Sequence, residues 1–195
     1  MKHILEQILI TENIKNSINE NLLTLLEIIP EISDMMGFDH KHPHHHLDVW
    51  NHTLLALEFS PNDFKVRLVL LLHDIGKPHS YQDLEVRHFK GHPKKSAEIS
   101  QNILTRLKFE EDEIKEICYL IENHDFPIKD SFIEQNPTLA KTLFDVQLCD
   151  ALAHNPTKLG KRIKYLLDVN EKVNNTFMQE IYKNILNEFK EKEQK

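Results

Sequence analysis

Apolar residues recur at three- and four-residue intervals along this chain, and alternation of β-branched with polar residues is nearly absent. A period near 3.6 gathers side chains on one face of a helix, whereas a strand with one wet face needs a period of two. The chain is therefore expected to be all-α. Glycine stands only at 37, 76, 91 and 160, each near an expected helix end. The pattern predicts helices over about 2–29, 47–59, 62–76, 93–107, 110–124, 137–154, 158–168 and 171–192. Pro30, Gly37 and Pro43 mark an irregular entry into the second of these. Asn62-Asp63 caps the third, and Gly76 followed by Pro78 stops it. Gly91-His92-Pro93 opens the fourth, with proline in the first turn. The charged end from Glu188 to Lys195 is expected to fray.

A chain of 195 residues fits one domain, 1–195, and can bury a core without disulfides or a structural metal. A metal, if present, is then a working part. Cys118 and Cys149 lack CxxC spacing and read as free thiols of a reducing compartment. Lys2, His3 and Glu6 break up the first ten residues, so they form neither a signal core nor a membrane span. A cytoplasmic protein without membrane contact is expected. The net charge of −7 is spread among intermixed acidic and basic residues, which disfavours extended nucleic acid as a partner. The compact basic clusters, Lys94-Lys95 and Lys158 to Lys164, read first as solvated helix surface and second as contacts for a small phosphorylated ligand. Thirteen histidines are the unusual feature of the composition. Five fall between His40 and His46, most of them expected to be surface residues with no particular partner.

The chemistry shows in what shares the apolar stripes. Val49, Ala56 and Phe59 define a stripe to which His52 belongs. Val66, Val69 and Leu70 lead to His73, with Asp74 beside it. Ile114, Ile117, Cys118 and Ile121 lead to His124, and Leu143 with Val146 leads to Asp150. Burying one unpaired polar group costs roughly 2–7 kcal/mol, and a bare carboxylate more. A single inward histidine is more often bonded to a backbone carbonyl than to a metal. Four such cases on four helices are satisfied together by a shared cation.

Imidazole and carboxylate without thiolate suit Mn, Fe, Ni, Co or Zn, with Mg usable mainly when phosphate helps to bind it. A zinc staple would employ cysteine and tight local spacing. Neighbours on a helix point about 100° apart, so His73 and Asp74 can share an ion only near a helix end, which Gly76 would supply. Lys77 then lies within a turn of the ion. Its ammonium can meet a phosphate oxygen, or it is an ordinary cation at a helix C-terminus.

Together these residues resemble the HD superfamily of metal-dependent phosphohydrolases. The likeness rests on L-L-H-D-I-G-K-P at 71–78, a helical histidine at 52 and C-D-A-L-A at 149–153. It extends more particularly to the HD domain of bacterial CCA-adding tRNA nucleotidyltransferases, through residues 38–53, R-H-F-K-G-H at 87–92, R-L-K-F at 106–109 and D-A-L-A-H-N-P at 150–156. It spans roughly Phe38 to Pro156. The implied fold is an HD helical bundle with helical extensions at both ends. The nucleotidyltransferase head has no room here and no glycine-rich phosphate loop is present, so CCA addition is not expected. Where the family usually shows R-A-D, this chain has Leu148-Cys149-Asp150.

The resemblance implies that His52, His73, Asp74 and Asp150 ligate a metal. His92 and His124 match the histidines that hold a second ion in some HD proteins, with Asp74 as bridge. Their alternative is phosphate contact or hydrogen bonding around a single ion. His45 and His88 match the CCA-type pattern and either line the pocket or cap loops. The implied function is hydrolysis of a phosphomonoester or phosphodiester by metal-bound hydroxide, with Asp74 and Lys77 as catalytic residues. The implied substrate is a small phosphorylated molecule: a nucleotide, a cyclic nucleotide or an RNA end. The rival is a catalytically silent metal- or nucleotide-binding module with a sensing role. The amphipathic end helices could form a homodimer face or pack on their own core.

Overall fold

The computed structural model describes residues 1–173 and is helical throughout, with ten α-helices and three 3-10 turns among the described residues. Three short helices come first: α1 (Lys2–Leu9), α2 (Ile14–Glu20) and α3 (Leu22–Ile28). The sequence pattern had suggested one helix over this stretch. Two local hydrogen bonds break it. Asn13 accepts from the Asn16 amide and starts α2 afresh, and Asn21 turns its amide side chain back to the Ser17 carbonyl. These side-chain bonds compete with the helix ladder, as asparagine commonly does. The apolar face survives the breaks, because Leu5, Ile8, Leu9, Ile14, Ile18 and Leu25 all join the core.

After a 3-10 turn (Pro30–Met35) and an irregular stretch, Asp48 caps α4 (Val49–Glu58) by accepting from the Asn51 amide at 2.8 Å. Asp63 does the same for α5 (Phe64–Leu72) through Val66 at 2.9 Å. A short 3-10 turn (Lys77–His79) and a loop lead to α6 (His92–Arg106) and α7 (Glu111–Asn123), which pack as a pair. The positive φ of +82° at Gly91, just ahead of α6, is a conformation glycine adopts without steric cost. Next come the short α8 (Asp130–Gln135), which periodicity did not reveal, and α9 (Pro137–Leu152). A last 3-10 turn (Pro156–Lys158) precedes α10 (Gly160–Val173), continuous where the sequence suggested a break near 169–170. The remainder of the helix expected to 192 lies outside the described residues, as does the charged end.

The bundle is organised around α5 and α9. They pack on each other, and between them they touch α1, α4, α7, α8 and α10. Both are buried almost all round, so Val66 to Leu72 and Leu143 to Ala153 read as near-continuous apolar runs. Arg67 ties the N-terminal helices to this centre. Its guanidinium, 3% exposed, donates to the carbonyls of Leu9 and Thr11, to Asn62 Oδ1 and to Ser60 Oγ. No helix among the described residues is long and apolar enough to cross a membrane. Both cysteines are free thiols.

Candidate metal centre

Helix α5 stops at Leu72, four residues before the glycine expected to end it. His73 to Gly76 form a turn. Gly76 has an ordinary φ of −84°, so its role is not a left-handed cap. It is close packing instead. A Cβ there would meet the amide nitrogen and, at 2.8 Å, the hydroxyl of Ser96, as well as the His92 carbonyl at 2.9 Å. The Gly76 amide donates to that hydroxyl at 2.9 Å. The turn after α5 is thereby fastened to the first turn of α6, which brings His73 and Asp74 against His92.

All six residues expected to gather around one or two ions are buried, none more than 6% exposed. His52 comes from α4, Asp150 from α9, His92 from α6, and His124 from the end of α7. Four imidazoles share one arrangement. Nδ1 faces a backbone carbonyl: Ala153 for His52, Leu70 for His73, Phe89 for His92 and Ile121 for His124. A carbonyl only accepts, so each Nδ1 carries the hydrogen and each Nε2 is turned inward.

The inward atoms form two groups that share Asp74. In the first, His52 Nε2 lies 2.9 Å from Asp150 Oδ1 and 3.6 Å from Asp74 Oδ2, while His73 Nε2 lies 3.3 Å from Asp74 Oδ2 and 3.6 Å from Asp150 Oδ1. In the second, His92 Nε2 is 3.3 Å from Asp74 Oδ1 and 3.3 Å from His124 Nε2, and His124 Nε2 is 3.8 Å from Asp74 Oδ1. Donors about 2.1 Å from one ion stand about 3.0 Å apart at a right angle and about 3.4 Å apart at the tetrahedral angle. The spacings match that geometry. Among the described residues, His73 Nε2 and both carboxylate oxygens of Asp74 are buried without a hydrogen bond, a costly condition for polar atoms. The residues therefore fit a metal, and Asp74 offers one oxygen to each group.

Charges within the protein partly stand in for such a cation. Burial alone would neutralise Asp74, yet His73 and Lys77 hold it well below the usual carboxylate range. Burial also opposes ionisation of Asp150, and His154, His52, His73 and Arg162 outweigh it. Burial disfavours a charged His73 too, but Asp74 and Asp150 raise its pKa to about 10. By contrast, burial pushes His124 and His154 down to about 4. Lys77, 5% exposed, is no solvated cation. Its Nζ is 2.7 Å from Asp74 Oδ2, not aligned as a hydrogen bond, and 3.1 Å from His40 Nε2.

The centre lies at the base of a cleft of about 270 Å³. His45 and His88, expected to line a pocket or cap loops, both line this cleft. The histidine run is less idle than its composition suggested. His42 and His44 also line the cleft, and His40 is buried beneath a stacked His45 ring at 3.7 Å. Sequence reasoning missed His40, Asp125, His154 and Arg162. Arg162 lies in the Lys158–Lys164 cluster that reads as solvated surface. Its guanidinium nonetheless turns in to Asp150 Oδ2 at 3.0 Å and Asp125 Oδ1 at 3.1 Å. Leu148, where the resemblance led one to expect an arginine, is fully buried.

Comparison with known proteins agrees with this geometry. Residues 44–170 match the HD domain family, and the chain belongs to it. Among characterised proteins, it is 32% identical over 163 residues to an A-adding tRNA nucleotidyltransferase of Deinococcus radiodurans, covering 74% of this chain and 37% of that protein. It is 33% identical over 104 residues to a CC-adding tRNA nucleotidyltransferase of Thermus thermophilus, covering 49% of this chain and 24% of that one. A multifunctional CCA protein of Azoarcus is 26% identical over 132 residues, 66% of this chain and 31% of its own length. The chain thus spans between 24% and 37% of the length of these relatives.

Proposed function

We propose that the protein is a metal-dependent phosphohydrolase that cleaves a phosphomonoester or phosphodiester of a nucleotide, cyclic nucleotide or RNA end. One observation carries this reading: two groups of inward Nε2 atoms share the two unbonded oxygens of Asp74. A divalent ion held there would supply a water acidic enough to be deprotonated near neutral pH and would offset phosphoryl charge. His52, His73, Asp74 and Asp150 are the residues to hold one ion, and Asp74, His92 and His124 a second. Backbone carbonyls fix the imidazole orientations, so loading needs no rotation of the donor atoms, only release of the Nε2 proton of His73. Lys77, held between Asp74 and His40, is placed to stabilise negative charge on a phosphate oxygen. Likeness to the HD region of tRNA-processing proteins supports a nucleotide substrate, and the small cleft supports a short one.

The test is a panel of nucleoside mono-, bis- and cyclic phosphates assayed with Mn, Ni, Co, Zn and Mg. The reading expects turnover with at least one metal and its loss in the His73→Ala, Asp74→Ala double variant. A metal-loaded protein inert towards the whole panel would point to a binding module instead.

A further inference from the structure

We infer that the substrate carries a second anionic group, and that a cationic annexe beside the metal cleft, formed at the start of α10, binds it. This inference rests on the hydrolase reading for the position of the first phosphate. The cleft, at about 270 Å³, lies below the roughly 300–1,000 Å³ of sites that enclose a ligand of drug size. A ligand larger than a nucleoside monophosphate would extend out of it. A second cavity of about 620 Å³ adjoins it, and His44, His154 and Arg162 line both. Its remaining wall runs from Thr157 to Lys161.

That wall is cationic in a chain whose net charge is −7. T-K-L-G-K-R-I-K at 157–164 contains no acidic residue. Lys158 and Lys161 are exposed and form no ion pair with any described residue, whereas Arg162 beside them pairs with Asp125 and Asp150. The wall is also fixed in place. The Asn155 side chain accepts from the amide and hydroxyl of Thr157, and its amide nitrogen donates to the Pro43 carbonyl. The Asn155 main-chain amide donates to His44, and Leu159 is buried. Two unpaired ammonium groups on an ordered turn, open to the metal cleft through Arg162, suit a phosphate. The ligand class is accordingly a nucleoside bisphosphate or a short phosphodiester-linked oligonucleotide, rather than a nucleoside monophosphate.

Calorimetry of the metal-loaded protein with non-hydrolysable phosphonate analogues of adenosine 3′,5′-bisphosphate, adenosine 3′-monophosphate and adenosine 5′-monophosphate measures binding with turnover stopped. The wild type is expected to bind the bisphosphate about tenfold more tightly than either monophosphate, as two charge-assisted contacts provide. Lys158→Ala with Lys161→Ala should reduce that ratio to below about twofold. Lys65→Ala with Lys115→Ala removes equal charge near the starts of α5 and α7, away from the ends that carry His73 and His124, and should preserve it. Equal affinities in the wild type, or a ratio that survives in the 158/161 variant, overturns the annexe. The same ratio taken on kcat/KM with Mn separates the two readings. Turnover without preference sinks the annexe alone, whereas lysine-dependent preference in binding without turnover sinks the hydrolase alone.

Discussion

Replacing Gly76 by alanine probes the packing that brings the two halves of the centre together. The backbone at 76 is in the ordinary right-handed region, φ −84° and ψ −13°, so alanine is not excluded by its own conformation. On the unfolded chain alone the change would stabilise by about 0.4–1 kcal/mol. Packing reverses the sign. The new methyl would meet the Ser96 amide, its hydroxyl at 2.8 Å and the His92 carbonyl at 2.9 Å. Two of those three neighbours are backbone, so no rotamer change relieves them. The start of α6 must back away by about an ångström to reach ordinary contact, at an overpacking cost of about 1–3 kcal/mol. The net expectation is a loss of about 1–2 kcal/mol, which lowers the urea midpoint by about 0.5–1 M at an unchanged slope. His92 moves with the turn, so binding of a second ion should weaken more than binding of the first. Denaturation and metal titration of the variant measure both effects. A midpoint equal to the wild type, or equal weakening at both positions, would refute the reasoning.

Arg67→Met should destabilise by about 2–4 kcal/mol, because it orphans the Leu9 and Thr11 carbonyls that the guanidinium serves. Hydrogen exchange should show the extra opening concentrated in α1 to α3. Arg162→Ala leaves the buried Asp150 carboxylate with one partner fewer and should cost about 1–2 kcal/mol in metal-free protein, read by the same denaturation. The metal-free protein should also respond to pH on both sides. His73 is raised to about 10 from 6.5, so its contribution is complete below about 6.5 and is lost as pH rises through about 10. Asp74 and Asp150 are lowered, so theirs is complete above about 4 and is lost as pH falls further. Urea midpoints in EDTA should decline on both flanks, with an alkaline slope of at most about 1.4 kcal/mol per pH unit. A flat alkaline limb would contradict the charge assigned to His73.

The sequence exposed the centre because its residues break a rule. His52, His73, His124 and Asp150 continue apolar stripes where nothing polar should be, and all four prove buried. Local chemistry marked helix starts equally well at Asp63 and Gly91. Helix ends were harder. Periodicity runs through Asn13 and Asn21, whose side chains cut the first helix into three, and through His73 to Gly76, where a turn keeps near-helical angles. Glycine 76 was read as a stop, because a sequence does not show which backbone will approach it. Arg162 marks the same limit from the charged side. In Arg162's case, a cation in a basic run looks solvated until a carboxylate from another helix, Asp150, arrives beside it. His40 could have been suspected, since it stands five residues before His45 in a run rich in one residue type. Burial under the His45 ring, a bond to the Leu47 carbonyl and contact with Lys77 separate it from its exposed neighbour His46.

The central claim is that Asp74 and its four inward imidazoles hold a divalent ion. Elemental analysis of untagged protein purified without chelator, beside Asp74→Asn prepared identically, tests it most directly. The account predicts one to two equivalents of a transition metal per chain in the wild type and almost none in the variant. A folded wild-type protein that carries no metal, and takes up none when Mn, Ni or Zn is titrated in, would contradict it.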